Sequence, residues 1–149
     1  MRSEHFDVLI VGAGISGIGG AYHLTHQCPG TSFVVLDALE SFGGTWLTHG
    51  YPGIRSDSDL YTFGYRFKPW IGPPVATADE IRKYMGEVIA ENDLAKHIRY
   101  KHQITAARWS SEDARWTVKP EWQHTQDYWR EKADIPAIDL EAEEFVYGR

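Results

Sequence analysis

A single cysteine, Cys28, occurs in the 149 residues, which excludes an internal disulfide and any zinc site built from four cysteines. The chain also lacks a block of basic side chains that could follow a phosphate backbone, which argues against nucleic acid as a partner. Its most apolar amino-terminal stretch, residues 8–18, contains three glycines, is too short to cross a bilayer and follows Glu4 and Asp7 rather than a basic cluster. We therefore expect no transmembrane segment and a location in the reducing cytoplasm.

Acidic side chains are concentrated at the carboxyl end of the chain. The formal net charge is −6, yet residues 1–120 carry 13 acidic and 12 basic side chains, whereas residues 121–149 carry 8 acidic and 3 basic ones. We predict a folded portion over residues 1–119 and an irregular acidic tail over residues 120–149. Within the tail, residues 122–133 are compatible with a polar helix, and residues 141–144 form an acidic run.

The first forty residues have the pattern of a βαβ unit. Residues 6–12 form a nearly continuous apolar run, which is typical of a strand buried on both faces of a parallel sheet. A helix is predicted over residues 15–28, ended by Pro29 and Gly30, and a second apolar strand over residues 32–37. Strand, helix and strand in this order predict an α/β, Rossmann-like fold with a right-handed crossover.

The second half of the chain adds a helix and a hairpin. After an aperiodic stretch from 38 to 74, Thr77 and Glu80 have the spacing of a capping box, and apolar residues then recur at helical spacing up to Ile89. Residues 103–110 and 114–119 are predicted to pair as strands around a turn. The fold class is therefore a partial Rossmann-like domain with a β-meander or hairpin insertion.

A glycine motif connects the first strand to the first helix. Gly12, Gly14 and Gly17 follow the pattern G-x-G-x-x-G, which permits a tight turn, close approach of the backbone to a diphosphate, and close packing of helix on strand. The helix amino terminus offers N–H groups to the diphosphate, and Ser16 can add a hydroxyl donor. Asp37 closes the second strand, where a carboxylate accepts hydrogen bonds from ribose hydroxyls. The alternative is a plain glycine-rich turn, which the flanking strands, the helix and the spacing of the acid argue against. The acid also disfavours a 2′-phosphate, so FAD or NAD is favoured over NADP.

Two further stretches resemble one enzyme family. Gly43, Gly44, Thr45 and Trp46 are followed by residues 51–70, which read YPGIRSDSDLYTFGYRFKPW. Together they resemble the flavin-side signature of the Baeyer–Villiger monooxygenases, a group within the flavin-containing, NADPH-dependent monooxygenases, and are particularly similar to its mycobacterial ethionamide-activating branch. The resemblance covers about residues 5–119 and implies FAD and NADPH as cofactors, with O2 and a small molecule as substrates.

The resemblance also implies a role for each matching residue. Ser16 and Asp37 would hold the pyrophosphate and the adenosine ribose of FAD, and the backbone of Ile104 would meet its adenine. The ribityl chain and the flavin ring would be contacted by Gly44, Thr45 and Trp46. For Trp46 the alternative is a plain core aromatic.

On the nicotinamide side the resemblance implies roles for Arg55, Ser56 and Asp57. Asp57 would lie near the flavin ring, beside a catalytic arginine that the family supplies from later sequence, and it is the one catalytic candidate in this chain. An aspartate beside an arginine stays ionised and orients it. The alternative for Asp57 is a turn or cap residue.

Several parts of the family pattern are absent from the 149 residues. Gly50 stands where the family usually has an arginine, and a second G-x-G-x-x-G motif and an apolar strand ending in Thr-Gly do not occur. We interpret the chain as the amino-terminal FAD-binding portion of a monooxygenase that transfers oxygen to ketones, sulfides or thioamide-like substrates through a flavin C4a-peroxide, and expect it to be inactive alone. The alternatives are a truncated remnant and a small NAD- or FAD-binding Rossmann protein without this activity.

No metal site is expected. His23, His26 and Cys28 are best interpreted as surface residues, because no fourth ligand lies near them and the two histidines have ordinary helical spacing. The oligomeric state is left open by the sequence.

Overall fold

The computed structural model describes residues 3–122 and 144–148. In chain order its elements are β1 (Ser3–Phe6), β2 (Val8–Val11), α1 (Ile15–Gln27), β3 (Phe33–Leu36), α2 (Thr45–Thr48), α3 (Leu60–Phe63), α4 (Ala78–Glu91), β4 (Ile98–Arg99), β5 (His102–Ser110), β6 (Arg115–Trp122) and β7 (Glu144–Gly148), with a single 3₁₀ turn at Ala95–His97.

A three-stranded parallel sheet contains the predicted βαβ unit. Its strand order is β2-β3-β4, with Val8 opposite Phe33 and Val35 opposite Ile98. All four residues of the central strand β3 are buried, as expected for a parallel sheet covered on both faces. Helix α1 connects β2 to β3, so the Rossmann-like α/β class is confirmed.

The first predicted strand is divided into two at Asp7. The Asp7 carboxylate accepts hydrogen bonds from the backbone N–H and the hydroxyl of Ser32, at 2.8 and 2.6 Å, and the hydroxyl bond is the main cause of the lowered pKa of Asp7. On either side of Asp7, β1 and β2 belong to different sheets. Apolar periodicity does not show this division, because it depends on which strand pairs with each half.

Helix α4 begins at the predicted capping box and buries the predicted face. The Glu80 N–H donates to the Thr77 hydroxyl at 3.3 Å, and the Thr77 N–H donates to the Glu80 carboxylate at 2.8 Å. Ile81, Met85 and Val88 are fully buried, and each contributes roughly 1.5–3 kcal/mol through burial. This helix therefore forms one wall of the main core, in the same cluster as Ile18 and Val35.

The carboxyl-terminal sheet has four strands in the order β1-β7-β6-β5. Strands β5 and β6 form the predicted hairpin, and β7 lies between β6 and β1, antiparallel to the first and parallel to the second. Residues 144–148 thus correct the expectation of an irregular tail. Their sequence, EFVYG, has strong strand formers at its centre, but the acidic run before it hid this signal, and the strand needs two neighbouring edges to pair with.

Strand β6 continues to Trp122, three residues past the predicted boundary at 119. The polar helix considered for 122–133 lies otherwise outside the described residues, as does the acidic run up to 143. Within the described ranges, no helix has the length and apolar content that crossing a membrane requires.

Candidate functional site

A groove of about 360 Å³ lies at the carboxyl ends of β2 and β3, in front of the amino terminus of α1. Eight of the twelve predicted cofactor-binding residues line it, although the chain brings them from three separate segments. The lining residues are Val11, Gly12, Gly14, Ile15, Ser16, Gly17, Asp37, Gly43, Gly44, Thr45 and Trp46. Val11 and Ile15 were not singled out by sequence reasoning, because apolar residues beside a glycine motif are indistinguishable from core residues.

The glycine loop leaves no room for side chains at its closest contact. A Cβ atom on Gly17 would stand 1.9 Å from the carbonyl oxygen of Gly12, so α1 packs against the end of β2 only because position 17 lacks a side chain. Gly12 has φ +98°, a conformation that favours glycine. The predicted mechanical roles of these two glycines match this geometry.

A second turn, at Gly43 and Gly44, closes the groove opposite the glycine loop; we call it the double-glycine turn. Both residues have positive φ, +134° and +54°, and the Gly43 N–H donates to the Ala13 carbonyl at 3.0 Å. A Cβ atom on Gly44 would stand 3.2 Å from the Cα of Gly14. The backbones of Gly14 and Gly44 therefore come close together, and neither residue places a side chain in the groove.

Asp37 is buried and its carboxylate holds the glycine loop. One oxygen accepts the Ala13 N–H at 2.5 Å and the other accepts the Leu39 N–H at 2.8 Å. Because each carboxylate oxygen has two acceptor positions, the side chain retains capacity for ribose hydroxyls at the groove wall. The sequence predicts this acid as a ribose contact but does not predict its hydrogen bonds to Ala13 and Leu39, because the motif does not show which backbone groups lie behind it.

Tyr100 lies near Asp37, and no motif in the sequence marks it as a site residue. Burial raises the pKa of its phenol, and the negative charge of Asp37 raises it further. The phenol therefore stays protonated, and can donate a hydrogen bond, at all ordinary pH values.

The amino terminus of α1 faces the groove without a capping side chain. Its N-cap residue is Gly14, and its first turn contains no acidic residue. The N–H groups of a first helical turn lack intrahelical acceptors and carry a partial positive charge, so this end of the helix is suited to an anion. Ser16 is exposed on the same turn. The Tyr65 hydroxyl, whose pKa is raised by burial, donates to the Ile15 carbonyl at 2.5 Å and anchors the turn from behind.

Trp46 forms an apolar wall of the groove. It is half-buried in the main core, with its ring 6.3 Å from Phe63 in an edge-to-face arrangement. The two interpretations offered for it are compatible, because one face of the side chain packs on the core while the residue also lines the groove.

Four predicted residues do not line the groove. Ser56 is buried, its N–H donates to the Ala76 carbonyl at 2.9 Å and its hydroxyl accepts the Ala76 N–H at 3.2 Å, so it holds two loops together. Arg55 and Asp57, on either side of it, are exposed. Ile104 lies on β5 and packs into a second, smaller core cluster. The roles assigned to these four residues stay predictions.

The histidines of α1 have aromatic rather than ligand surroundings. Tyr22 stacks on His26, with ring centroids 4.1 Å apart, and meets His23 edge-on. Among residues 3–122 and 144–148, no group of three or more His, Cys, Asp or Glu side chains is placed to hold a metal ion.

Comparisons with known proteins relate this fold and groove to a group of flavoenzymes. Residues 10–72 match the family described as "NAD(P)-binding Rossmann-like domain". The chain is 50% identical over 120 residues to the FAD-containing monooxygenase EthA of Mycolicibacterium smegmatis, covering 80% of this chain and 24% of that protein.

Two solved structures share the fold. The oxidized steroid monooxygenase bound to NADP superposes with a TM-score of 0.75 at 27% identity, over 95% of this chain and 25% of that one. OTEMO in complex with FAD and NADP superposes with a TM-score of 0.70 at 30% identity, over 80% and 23% of the two chains. The chain thus spans about a quarter of the length of the relatives it matches.

Proposed function

This chain is related to the FAD-containing monooxygenases over about four fifths of its length, and we propose on that premise that it is the amino-terminal FAD-binding portion of an FAD- and NADPH-dependent monooxygenase. The observation that carries the proposal is the groove, which unites the glycine motif, Asp37 and the double-glycine turn beside the uncapped end of α1.

The residues of the groove fit the chemical parts of FAD. A diphosphate is doubly negative and matches the N–H groups at the start of α1, and Gly12, which lines the groove, has nothing within 4 Å of an added Cβ atom, so a ligand can approach the backbone there. Asp37 has acceptor capacity for ribose hydroxyls, and Trp46 offers an apolar wall to a flat ring. We propose that these residues hold FAD, with Ser16 and Thr45 as hydroxyl contacts.

When bound, FAD would supply the redox and oxygen-transfer chemistry, and this chain would supply its binding and orientation. The first turn of α1 would neutralise the diphosphate, and Asp37 would both orient the ribose and hold the Ala13 N–H. We propose that Arg55, Ser56 and Asp57 act on the nicotinamide side. Ser56 would act there by holding its loop in place, because its hydroxyl is already bonded to Ala76.

The proposed substrates are O2, NADPH and a small ketone, sulfide or thioamide-like molecule. We propose that the 149-residue chain alone does not turn these over, because its relatives are about four times longer and the second dinucleotide motif is absent from this sequence. Oxygen uptake by the pure chain that depends on both NADPH and substrate would contradict this.

Binding of FAD is the direct test. Purified chain should bind FAD with quenching of flavin fluorescence, and Gly14→Val should weaken binding at least tenfold, because its added methyl groups would enter the space between Gly14 and Gly44. Gly50→Val is the matched control, since nothing lies within 4 Å of a Cβ there. Equal FAD binding by wild type and Gly14→Val would refute the assignment of the groove.

A small NAD-binding Rossmann protein is the second candidate, favoured by the match of residues 10–72 to an NAD(P)-binding family. Titration calorimetry distinguishes the two: tighter binding of NAD than of FAD would support the second candidate. A chain that binds neither dinucleotide would be a remnant.

We also propose that the protein works in the cytoplasm, where its one exposed cysteine, Cys28, stays a free thiol. Fractionation of the source cells tests this, and detection of the chain in the secreted fraction would contradict it.

A further inference from the structure

Arg82 lies on the second turn of α4. Its side chain is half-buried, and its Nε is shielded from solvent with no hydrogen-bond acceptor among the described residues. Other half-buried basic side chains are paired: Lys68 contacts Glu87 and Glu91, at 3.3 and 2.7 Å. Arg82 therefore stands out among the cations in the described part of the chain.

Arg82 lies directly behind the double-glycine turn. Its Nε is 3.4 Å from the position that a Cβ atom on Gly43 would occupy. Gly43 lines the groove, and Gly44 contacts Gly14, the N-cap of α1. The double-glycine turn therefore lies between the Nε of Arg82 and Gly14, at the start of α1.

An unpaired, partly buried cation costs stability unless a negative charge compensates it. Among the described residues no carboxylate forms an ion pair with Arg82, whereas a doubly negative diphosphate in the groove would supply negative charge. The attraction between the diphosphate and Arg82 would act through the protein interior. At an effective dielectric constant of about 20, two opposite unit charges about 10 Å apart attract each other enough to change affinity roughly tenfold.

We infer that Arg82 is a positioning residue for a nucleoside diphosphate, supplying positive charge to the ligand from behind the double-glycine turn. This inference rests on the proposed function. In it, Arg82 favours ligands that carry a diphosphate, whatever ring they carry. Arg82 does not touch the ligand in this arrangement, because the turn lies between them.

The test compares Arg82→Met, which keeps side-chain length without charge, and Arg82→Lys, which keeps the charge, in the full 149-residue chain. With FAD and with ADP as probes at low salt, Arg82→Met should bind about five- to tenfold more weakly than wild type, and 0.5 M salt should shrink the difference. Arg82→Lys should stay within about threefold of wild type. Riboflavin, which has no phosphate, should be bound equally by all three proteins.

Two controls separate charge from structure. Lys83→Met removes an exposed charge from the next position of the same helix and should leave FAD and ADP binding unchanged. Without ligand, Arg82→Met should melt at the same temperature as wild type or higher, because it removes a shielded N–H group that has no acceptor among the described residues.

Each contrary result overturns the inference. Arg82 has a different role if Arg82→Met binds FAD and ADP as tightly as wild type, or if it loses affinity for riboflavin to the same extent. The same conclusion follows if Arg82→Lys binds as weakly as Arg82→Met, or if Arg82→Met melts well below wild type. If wild type binds FAD while the Arg82 variants match it, only this inference fails. If wild type binds neither FAD nor ADP, the proposed function fails with it.

Discussion

Among the described glycines, Gly17 is the one whose added Cβ atom would come nearest another atom, because it would overlap the Gly12 carbonyl oxygen at 1.9 Å. We expect Gly17→Ala to lower the free energy of unfolding by about 3 kcal/mol, because helix and strand must move apart. Gly50→Ala should change it by less than about 0.5 kcal/mol, since that position is open. Urea denaturation of both variants measures the difference, and equal stability of the two would show that α1 can shift at no cost.

Asp37 combines a structural and a proposed ligand role in one carboxylate. In Asp37→Asn, one of the two backbone N–H groups, of Ala13 or Leu39, would face an amide NH₂ instead of an acceptor. We expect a loss of about 1–3 kcal/mol in unfolding free energy without any ligand, the usual cost of an unsatisfied buried donor. A variant as stable as wild type in urea would mean that the loop does not depend on this carboxylate.

At the scale of elements, the capping box of α4 makes stability depend on pH. Hydrogen bonds from Thr77, first from its backbone and then from its hydroxyl, lower the pKa of Glu80 below its ordinary value of 4.5. A lowered pKa in the folded state means that stabilisation is complete above the ordinary value and is lost as the pH falls through the folded one.

Glu80→Gln should therefore be less stable than wild type at pH 7, and the gap should close as the pH is lowered below 4.5. Glu112→Gln, in the exposed hairpin turn, is the control: the difference in unfolding free energy between it and wild type should not shrink in this way at low pH. Urea denaturation at several pH values measures both gaps, and a Glu80→Gln gap that is constant with pH would contradict the role of the box.

Strand β7 is the element on which the second sheet depends. Val146 lies between His5 of β1 and Thr117 of β6, so a proline there removes a backbone donor from the middle of the sheet. We expect Val146→Pro to increase amide hydrogen exchange in β1, and Val146→Ala to leave it near wild type. Unchanged exchange in β1 of the proline variant would show that the strand does not need this partner.

At the scale of the whole molecule, binding of FAD should stabilise the fold. The groove joins α1, β3 and the double-glycine turn, so a ligand there is bound by the folded chain and not by the unfolded one. FAD at one hundred times its dissociation constant should add about 2.7 kcal/mol to the unfolding free energy. Thermal melts with and without FAD measure this, and the same rise in Gly14→Val would place the ligand elsewhere.

Much of this architecture could be predicted from local pattern. The βαβ unit, α4 with its capping box and the β5–β6 hairpin follow from apolar periodicity, caps and glycines, each of which acts within a few residues. The division of the first strand at Asp7 and the existence of β7 could not be predicted so, because both depend on pairing between segments more than 100 residues apart.

The sequence by itself determined the βαβ unit with a glycine motif at its first turn and an acid at the end of its second strand, because apolar periodicity and the backbone freedom of glycine act locally. The double glycine was related to the same site only by the resemblance to a family. Only the tertiary structure decided that the Asp37 carboxylate bonds to the glycine loop, that the Ser56 hydroxyl bonds to Ala76, and that the Nε of Arg82 lies behind the double-glycine turn without an acceptor in the described part of the chain. The physical reason is that hydrogen bonds and charges act across space, between segments whose separation along the chain carries no signal of their contact. The single cysteine and the uneven charge of the sequence limited the classes of protein it could be, but the arrangement of the groove identified what it is proposed to bind.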